Sequence, residues 1–338
     1  MKNLFDKTKL GKMKLKNRII RSATFDNLVS NELVDEAFQY YQELAQGGVG
    51  TIITGLTDVL SGGIYEDFFT YQYKQIIKMV HRYDAKIILQ IGYVGSAGFK
   101  DNLVVWGPSD IENVRTKVKP IKITRENIRL MQTAFADAAE QAKKAGFDGV
   151  EIQGGQGFLL SQFLSPYYNC REDEYGGNIE KRAKFVLDVY QTVRKKVGAL
   201  FPIIMKINVI DSLVPGMTFA EYRYVCEKLV EQGIDAVEVT GEWQDLSARS
   251  LGCFKNFAAK LAAEVDIPVI LAGEDRDYDE MLKFLNTTSI EYFSLERPLL
   301  AEPDLVKRWE NGDTRRAKCV YCNACLNFDG VFYCILNN

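Results

Sequence analysis

The chain has 338 residues, of which 47% are hydrophobic and 26% are charged, so it has ample apolar material for a globular core. The net charge of -3 comes from interspersed acidic and basic residues, which argues against a polyanion-binding surface and predicts no nucleic-acid partner. No run of 18 or more apolar residues occurs, and the first residues lack the apolar stretch of a signal peptide. We therefore expect a cytoplasmic protein without a membrane partner.

Histidine and cysteine content narrows the chemistry further. The single histidine, His81, is predicted to lie at the surface near a helix end. Without a second histidine, Ser-His-Asp, Cys-His and multi-histidine zinc sites are hard to build. The seven cysteines are an odd number in a large chain without a secretion signal, which argues against a disulfide framework.

Short β-branched runs alternate with helical patterns along almost the whole chain. The first sixteen residues predict a small hairpin with Gly11 in its turn. Eight strands are predicted after it: Arg18–Ala23, Gly50–Thr54, Lys86–Gln90, Gly149–Ile152, Ile203–Ile207, Ala236–Thr240, Val269–Leu271 and Tyr292–Leu295.

Amphipathic segments lie between these strands, and several end in glycine, as helix C-termini prefer. Eight strand-then-helix units predict a parallel sheet that closes into a single α/β domain, a (β/α)8 TIM barrel. A doubly wound sheet is the alternative, but no GxGxxG follows the first strand. Residues 1–312 are expected to form the barrel, capped at its bottom by the hairpin, with an excursion over residues 101–122 on the third βα loop. Residues 313–338 are expected to form a Cys-containing C-terminal extension packed on it.

The most informative stretch runs from Gly149 to Arg182. It predicts a buried strand, a glycine-rich turn, a long polar and aromatic loop, and a helix that begins near Asn178 with Glu180 in its first turn. A loop of this kind straight after a strand is where a barrel enzyme keeps its active site.

Charged residues also stand at the predicted ends of later strands. Lys206 ends the apolar strand IIMKIN, where an ammonium is costly unless it meets a partner or extends to the barrel mouth. Gly273 follows the seventh strand, and Glu296 and Arg297 follow the eighth. These two loops are the usual phosphate site of such barrels, although Arg297 could instead form a structural ion pair.

The stretch GVEIQGGQGFLLSQFLSPYYNCREDEYGGNIEKR closely resembles the corresponding segment of the Old Yellow Enzyme family of FMN-dependent reductases. KNRIIRSAT (16–24), GGVGTIITG (47–55), KIN (206–208) and RPLLAEPDLVKRWENGD (297–313) are similar to the same family, in the same order. The resemblance implies an FMN cofactor, NADH or NADPH as reductant, and a small-molecule electron acceptor. It implies these cofactor contacts: Ala23 and Thr24 on the flavin, Gly55 beside the ring, Gln90 at the pyrimidine edge, Lys206 near N1, and Gly273 and Arg297, next to Glu296, at the phosphate.

Departures from the family pattern fall together in the substrate pocket. Gln153 and Gln156 replace the usual His-x-x-His pair, Phe158 replaces the proton-donating Tyr, and Tyr93 replaces the His of QxxH. Glutamine donates hydrogen bonds but carries no charge, and Phe158 supplies no proton, so Tyr93 becomes the candidate substitute acid.

We therefore expect an FMN-dependent NAD(P)H oxidoreductase that uses Gln153, Gln156 and Tyr93 and reduces a quinone, a flavin or oxygen in preference to a simple enoate. A non-catalytic or regulatory flavin-binding barrel and a flavin-free phosphate-binding barrel enzyme remain alternatives. Homo-oligomerisation is left open.

The C-terminal tail carries Cys319, Cys322, Cys325 and Cys334 at spacing C-x2-C-x2-C-x8-C. Four thiolates within so short a segment could bind zinc or an iron–sulfur cluster. The spacing resembles the cluster motif of the larger dienoyl-CoA reductase relatives, C-x2-C-x3-C with a longer final gap, but is one residue shorter. We predict reduced cysteines packed against the barrel and no metal, with a bound metal as the alternative.

Overall fold

The computed structural model describes residues 1–24, 34–61, 67–98, 104–208, 213–241, 251–273, 277–326 and 334–337. None of the helices in these ranges is long and apolar enough to cross a membrane. In chain order the strands and helices are β1 (Thr8–Leu10), β2 (Met13–Leu15), β3 (Ile19–Arg21), α1 (Val34–Gln46), β4 (Thr51–Asp58), α2 (Asp67–His81), β5 (Lys86–Gly92), β6 (Trp106–Gly107), β7 (Ile121–Lys122), α3 (Arg125–Ala145), β8 (Gly149–Gln153), α4 (Leu159–Leu164), α5 (Ile179–Val197), β9 (Ile203–Asn208), α6 (Phe219–Glu231), β10 (Ala236–Thr240), α7 (Leu251–Glu264), β11 (Val269–Gly273), α8 (Tyr278–Thr287), β12 (Tyr292–Leu295), α9 (Arg297–Ala301) and α10 (Leu305–Glu310).

Eight parallel strands of the described chain close into a barrel, in the order β3-β4-β5-β8-β9-β10-β11-β12 and back to β3. Each lies where the sequence predicts a strand, and helices follow the strands on the outside. The (β/α)8 fold is therefore confirmed. Parallel pairing brings all the carboxyl ends of the strands to one face, where residues far apart in sequence meet.

The N-terminal hairpin is also confirmed. β1 pairs antiparallel with β2, and Gly11 in the turn has φ +56°. A Cβ at this position would lie 2.2 Å from Oδ1 of Asp235, so the turn can approach the barrel only with glycine. Leu10, Met13 and Leu15 pack on the apolar side chains inside the barrel and close its bottom.

The barrel interior is layered. Near the bottom the inward side chains form one apolar cluster: Ile20, Ile53, Ile88, Ile204, Ala236, Ile270 and Tyr292. Two residues further along a strand the side chain returns to the same face. At five of those seven positions the side chain is polar and equally buried: Ser22, Gln90, Lys206, Glu238 and Ser294.

Two connections on the carboxyl face are ordered. Residues 104–122, the described part of the predicted excursion, carry β6 and β7, which pair with each other. After β8, where the sequence predicts one long loop, residues Leu159–Leu164 form the short helix α4. The prediction was wrong here because the apolar side chains of LLSQFL turn inward and bury. As predicted, α5 begins near Asn178 with Glu180 in its first turn; the Asn178 side chain caps it by accepting from the backbone N–H of Lys181.

The start of the C-terminal tail is held against the barrel by α10. Arg308 forms an ion pair with Glu302 and donates to the carbonyl oxygens of Asp313 and Arg315. The indole Nε1 of Trp309 also donates to the carbonyl of Arg315, at 3.0 Å. A boundary between the barrel and the extension at residues 312 and 313 remains a prediction.

Candidate active site

A cleft opens at the carboxyl face of the barrel. Six of the residues predicted for the site line it together, although they come from four different strand ends. Its lining is Ala23, Thr24, Leu56, Gln90, Gln153, Gln156, Phe158 and Glu296.

The two glutamines of the rewritten motif are bonded to each other. Nε2 of Gln153 donates to Oε1 of Gln156 at 2.9 Å, and the backbone N–H of Gly155 donates to Oε1 of Gln153 at 3.0 Å. The backbone N–H of Gln156 donates to Oδ1 of Asn208, which holds Gln156 at φ +56°. These bonds use the oxygen and one N–H of the Gln153 amide, so donation to a ligand would come from Nε2 of Gln156 or from the second N–H of Gln153.

The two aromatic residues singled out by the sequence occupy different positions. Phe158 is buried, lines the cleft and precedes α4. Tyr93 lies away from the cleft lining, with its hydroxyl accepting from the backbone N–H of Trp106 at 3.2 Å. Burial raises the pKa of Tyr93, and nearby Asp58 adds to this, so its hydroxyl is a weaker acid than usual. Its role as substitute acid remains a prediction.

Lys206 on β9 pairs with Gln153, which lines the cleft, and is almost fully buried. Its Nζ is 2.9 Å from Oε1 of Glu238, its neighbour on β10, and donates to Oγ of Ser22 at 2.9 Å. Burial alone would lower the pKa of Lys206, but Glu238 and Glu151 outweigh it and raise the pKa. The ammonium is therefore charged and bonded within the barrel, and does not extend to the mouth.

Two buried glutamates that the sequence reading missed complete this polar layer. Glu151 on β8 accepts from Nε2 of Gln90 at 2.7 Å, and Glu238 accepts from Oγ of Ser22 at 2.8 Å. Burial and the neighbouring Glu238 raise the pKa of Glu151 well above its usual value. Burial would raise the pKa of Glu238 too, but Lys206 outweighs it and the pKa falls. The available signal was a glutamate in the middle of each of two apolar strands, VEI and VEV.

The three residues predicted to lie near the phosphate, Gly273, Glu296 and Arg297, have different neighbours in the structure. Gly273 ends β11, and residues 274–276 after it lie outside the described chain. Glu296 lines the cleft, whereas Arg297 donates to Oδ1 of Asn323 and stacks on Tyr321, with 4.8 Å between Cζ and the ring centroid. Arg297 thus contacts the tail, and its phosphate role remains a prediction. Gly55 lies at the irregular pairing of β4 with β5.

The four tail cysteines line one pocket with Arg297. Over the part of the chain that the structure describes, no three His, Cys, Asp or Glu side chains lie close enough to hold a metal ion. Burial raises the pKa of Cys319 and of Cys325, the latter to about 11, so both are protonated thiols at neutral pH. Reduced structural cysteines without a metal remain a prediction.

The closed barrel and its cleft of amides over a buried lysine define a (β/α)8-barrel enzyme with its reaction site at the carboxyl ends of the strands. Comparison with known proteins identifies the family to which this enzyme belongs. The family model of NADH:flavin oxidoreductase / NADH oxidase matches residues 3–315, so the chain belongs to this family. The resemblance to Old Yellow Enzymes is confirmed.

Individual relatives are similar across the whole chain. A metal reductase of Desulforamulus reducens is 31% identical over 97% of this chain and 52% of its own length. An NADH oxidase of Thermoanaerobacter brockii is 29% identical over 95% of this chain and 53% of its own. The solved structure of a 2-naphthoyl-CoA reductase with 2-naphthoyl-CoA superposes with a TM-score of 0.90, at 25% identity, over 99% of this chain and 57% of that one. The chain thus spans about half the length of these relatives.

FMN is the cofactor of this family, with NADH or NADPH as reductant, and the residues of the cleft fit it. The pyrimidine edge of a flavin presents both hydrogen-bond donors and acceptors, and side-chain amides such as Gln90 supply both. A buried ammonium beneath the cleft suits the negative charge that a flavin gains on reduction. Gly92 and Gly155 keep the strand ends close, since a Cβ on either would lie within 2.9 Å of a neighbouring side chain.

Proposed function

We propose that this protein is an FMN-dependent NAD(P)H oxidoreductase. Its acceptor does not need a proton from a side chain at position 158, where this chain has Phe158. Quinones, free flavin and oxygen meet this condition, whereas simple enoates need a proton delivered to carbon. The buried Phe158 in the cleft wall is the observation that carries the proposal. General-acid help is worth roughly 10²–10⁴ in rate, and a phenyl ring supplies none.

FMN, when bound, supplies the hydride chemistry. The chain's own residues would bind and orient it: Gln90 at the pyrimidine edge, Ala23 and Thr24 against the ring, and Lys206 below N1. The Gln153–Gln156 pair offers amide donation to an acceptor oxygen, which is weaker than donation from a charged imidazolium. An acceptor that takes electrons readily asks less of such donors.

The names of two relatives fit an acceptor outside the enoates, and the name of a third does not: a cinnamate reductase is 28% identical over 95% of this chain and 55% of its own length. The name metal reductase gives a metal as acceptor, which takes no proton on carbon, and the name NADH oxidase gives no enoate. The chain spans only about half of each, so their activities support the acceptor class here without fixing it. The acceptor is expected to be a small molecule.

The test is a steady-state assay of the purified holoprotein with NADH or NADPH, comparing cyclohexenone with a benzoquinone. We expect quinone turnover and little enone turnover by the wild type. The triple variant Gln153→His, Gln156→His, Phe158→Tyr should gain enone activity by roughly 10²-fold or more. The matched control keeps Phe158 and carries only the two histidines, and should gain much less.

Brisk enone turnover by the wild type would overturn the proposal and point to Tyr93 as the acid. A third result would distinguish the enzyme from a barrel that binds flavin without catalysing a reaction. Bound FMN that neither nicotinamide nucleotide reduces would mean a non-catalytic flavin-binding barrel.

A further inference from the structure

Two carboxyl groups are buried side by side inside the barrel, below the cleft. Glu151 on β8 and Glu238 on β10 have no exposed surface, and β9, which carries Lys206, lies between their strands. The charged groups that act on this pair are Lys206, which is bonded to Glu238, and Glu296 of the cleft, which acts on Lys206. An ionised carboxylate without a partner is very costly in such a place, so two full negative charges against one ammonium are not expected.

Each carboxyl group of the pair has one oxygen that is hydrogen-bonded and one that is not. Oε1 of Glu238 accepts from Lys206 and Ser22, and Oε1 of Glu151 accepts from Gln90. The second oxygen of each carboxyl, Oε2, has no partner in the described structure, although the two side chains are within hydrogen-bonding reach of each other. Two ionised carboxylates repel, whereas one proton placed between them satisfies both oxygens.

We propose that Glu151 and Glu238 share one proton, and that this pair positions Gln90 and Lys206 for the cofactor while holding a single negative charge against Lys206. The proton resides on Glu151, because its other partner is the neutral Gln90, whereas Glu238 is bonded to an ammonium. The pair itself rests on the geometry; its effect on FMN rests on the proposed function.

Substitution by glutamine distinguishes this arrangement from two independent carboxylates. Glu151→Gln can still accept from Gln90 and donate to Glu238. Glu238→Gln can still accept from Lys206 and Ser22, while Glu151 loses its proton and becomes the counter-ion of Lys206. Each single variant therefore keeps one negative charge beside the ammonium. Only Glu151→Gln with Glu238→Gln leaves Lys206 without a carboxylate.

The first experiment needs no flavin chemistry. Infrared spectroscopy at neutral pH, with ¹³C-labelled glutamate for assignment, should show the C=O stretch of one protonated, buried carboxyl group in the wild type. Both single variants should lack that band. A wild type without it, or a Glu151→Gln variant that retains it, would overturn the shared proton. This result decides the pair even if the double variant does not fold.

The second experiment measures the equilibrium of two-electron reduction of bound FMN against a reference dye. Each single variant should stay within about twofold of the wild type, and the double variant should favour reduced FMN by about tenfold, or about 30 mV for a two-electron couple. Additive single and double effects would contradict one shared charge. If the infrared band appears as expected but the double variant leaves the reduction equilibrium of FMN unchanged, Glu151 and Glu238 share a proton without influencing the cofactor.

Discussion

The two ends of the same barrel strands carry different inward side chains, apolar at the amino end and polar at the carboxyl end. At the amino end, Ile204 and Ala236 pack with the hairpin in an apolar cluster. Two residues later on the same strands, and on the same inner face, stand Lys206 and Glu238, which are bonded to each other. Both layers are buried, so burial does not separate the stabilising part of the barrel from the functional part. What separates them is whether the buried atoms need partners.

Substitutions in the apolar layer should lower the stability of the fold and leave the reduction potential of bound FMN unchanged. Ile204→Ala is expected to lower the free energy of unfolding by about 2–5 kcal/mol, because it removes buried methyl groups and leaves a cavity. Ile204→Val, the matched control, should lose only about 0.5–1.5 kcal/mol. Chemical denaturation measures both. The comparison of the two layers fails if Ile204→Ala retains full stability, or if Ile204→Val alters the reduction potential of bound FMN.

The polar layer should behave in the opposite way. Lys206→Met is expected to shift the reduction equilibrium of bound FMN about tenfold toward the oxidised form, about 1.4 kcal/mol, because the cation acts on charge that appears on reduction. Adding Glu238→Gln should recover part of that shift, since it removes the negative charge left unpaired. Redox titration against a reference dye measures both variants. An unaltered potential in Lys206→Met would show that this cation lies too far from the flavin to matter.

The sequence predicted the apolar layer far better than the polar one. Every barrel strand was found because β-branched runs of five or so residues carry their own signal, and Gly11 marked the hairpin turn. Lys206 was predicted to need a partner, yet Glu238 could not be named, because the pairing of β9 with β10 is set by how the barrel closes. Arg297 was assigned from its place after the eighth strand and from the family resemblance, whereas its contact with Asn323 depends on how the tail folds back.

The last prediction concerns the pH dependence of stability that Glu151 imposes. Its pKa is raised in the folded protein, mainly by burial and then by Glu238, while in the unfolded chain it is about 4.3. Between pH 5 and 8 the folded state therefore holds a proton that the unfolded chain has released, and wild-type stability falls as pH rises, by up to about 1.4 kcal/mol per unit. Lys206 titrates above this window and Glu238 below it. Glu151→Gln removes the proton, so its stability relative to the wild type should rise steadily from pH 5 to 8 in denaturation experiments. A difference that stays constant over that range would mean that Glu151 is ionised in both states.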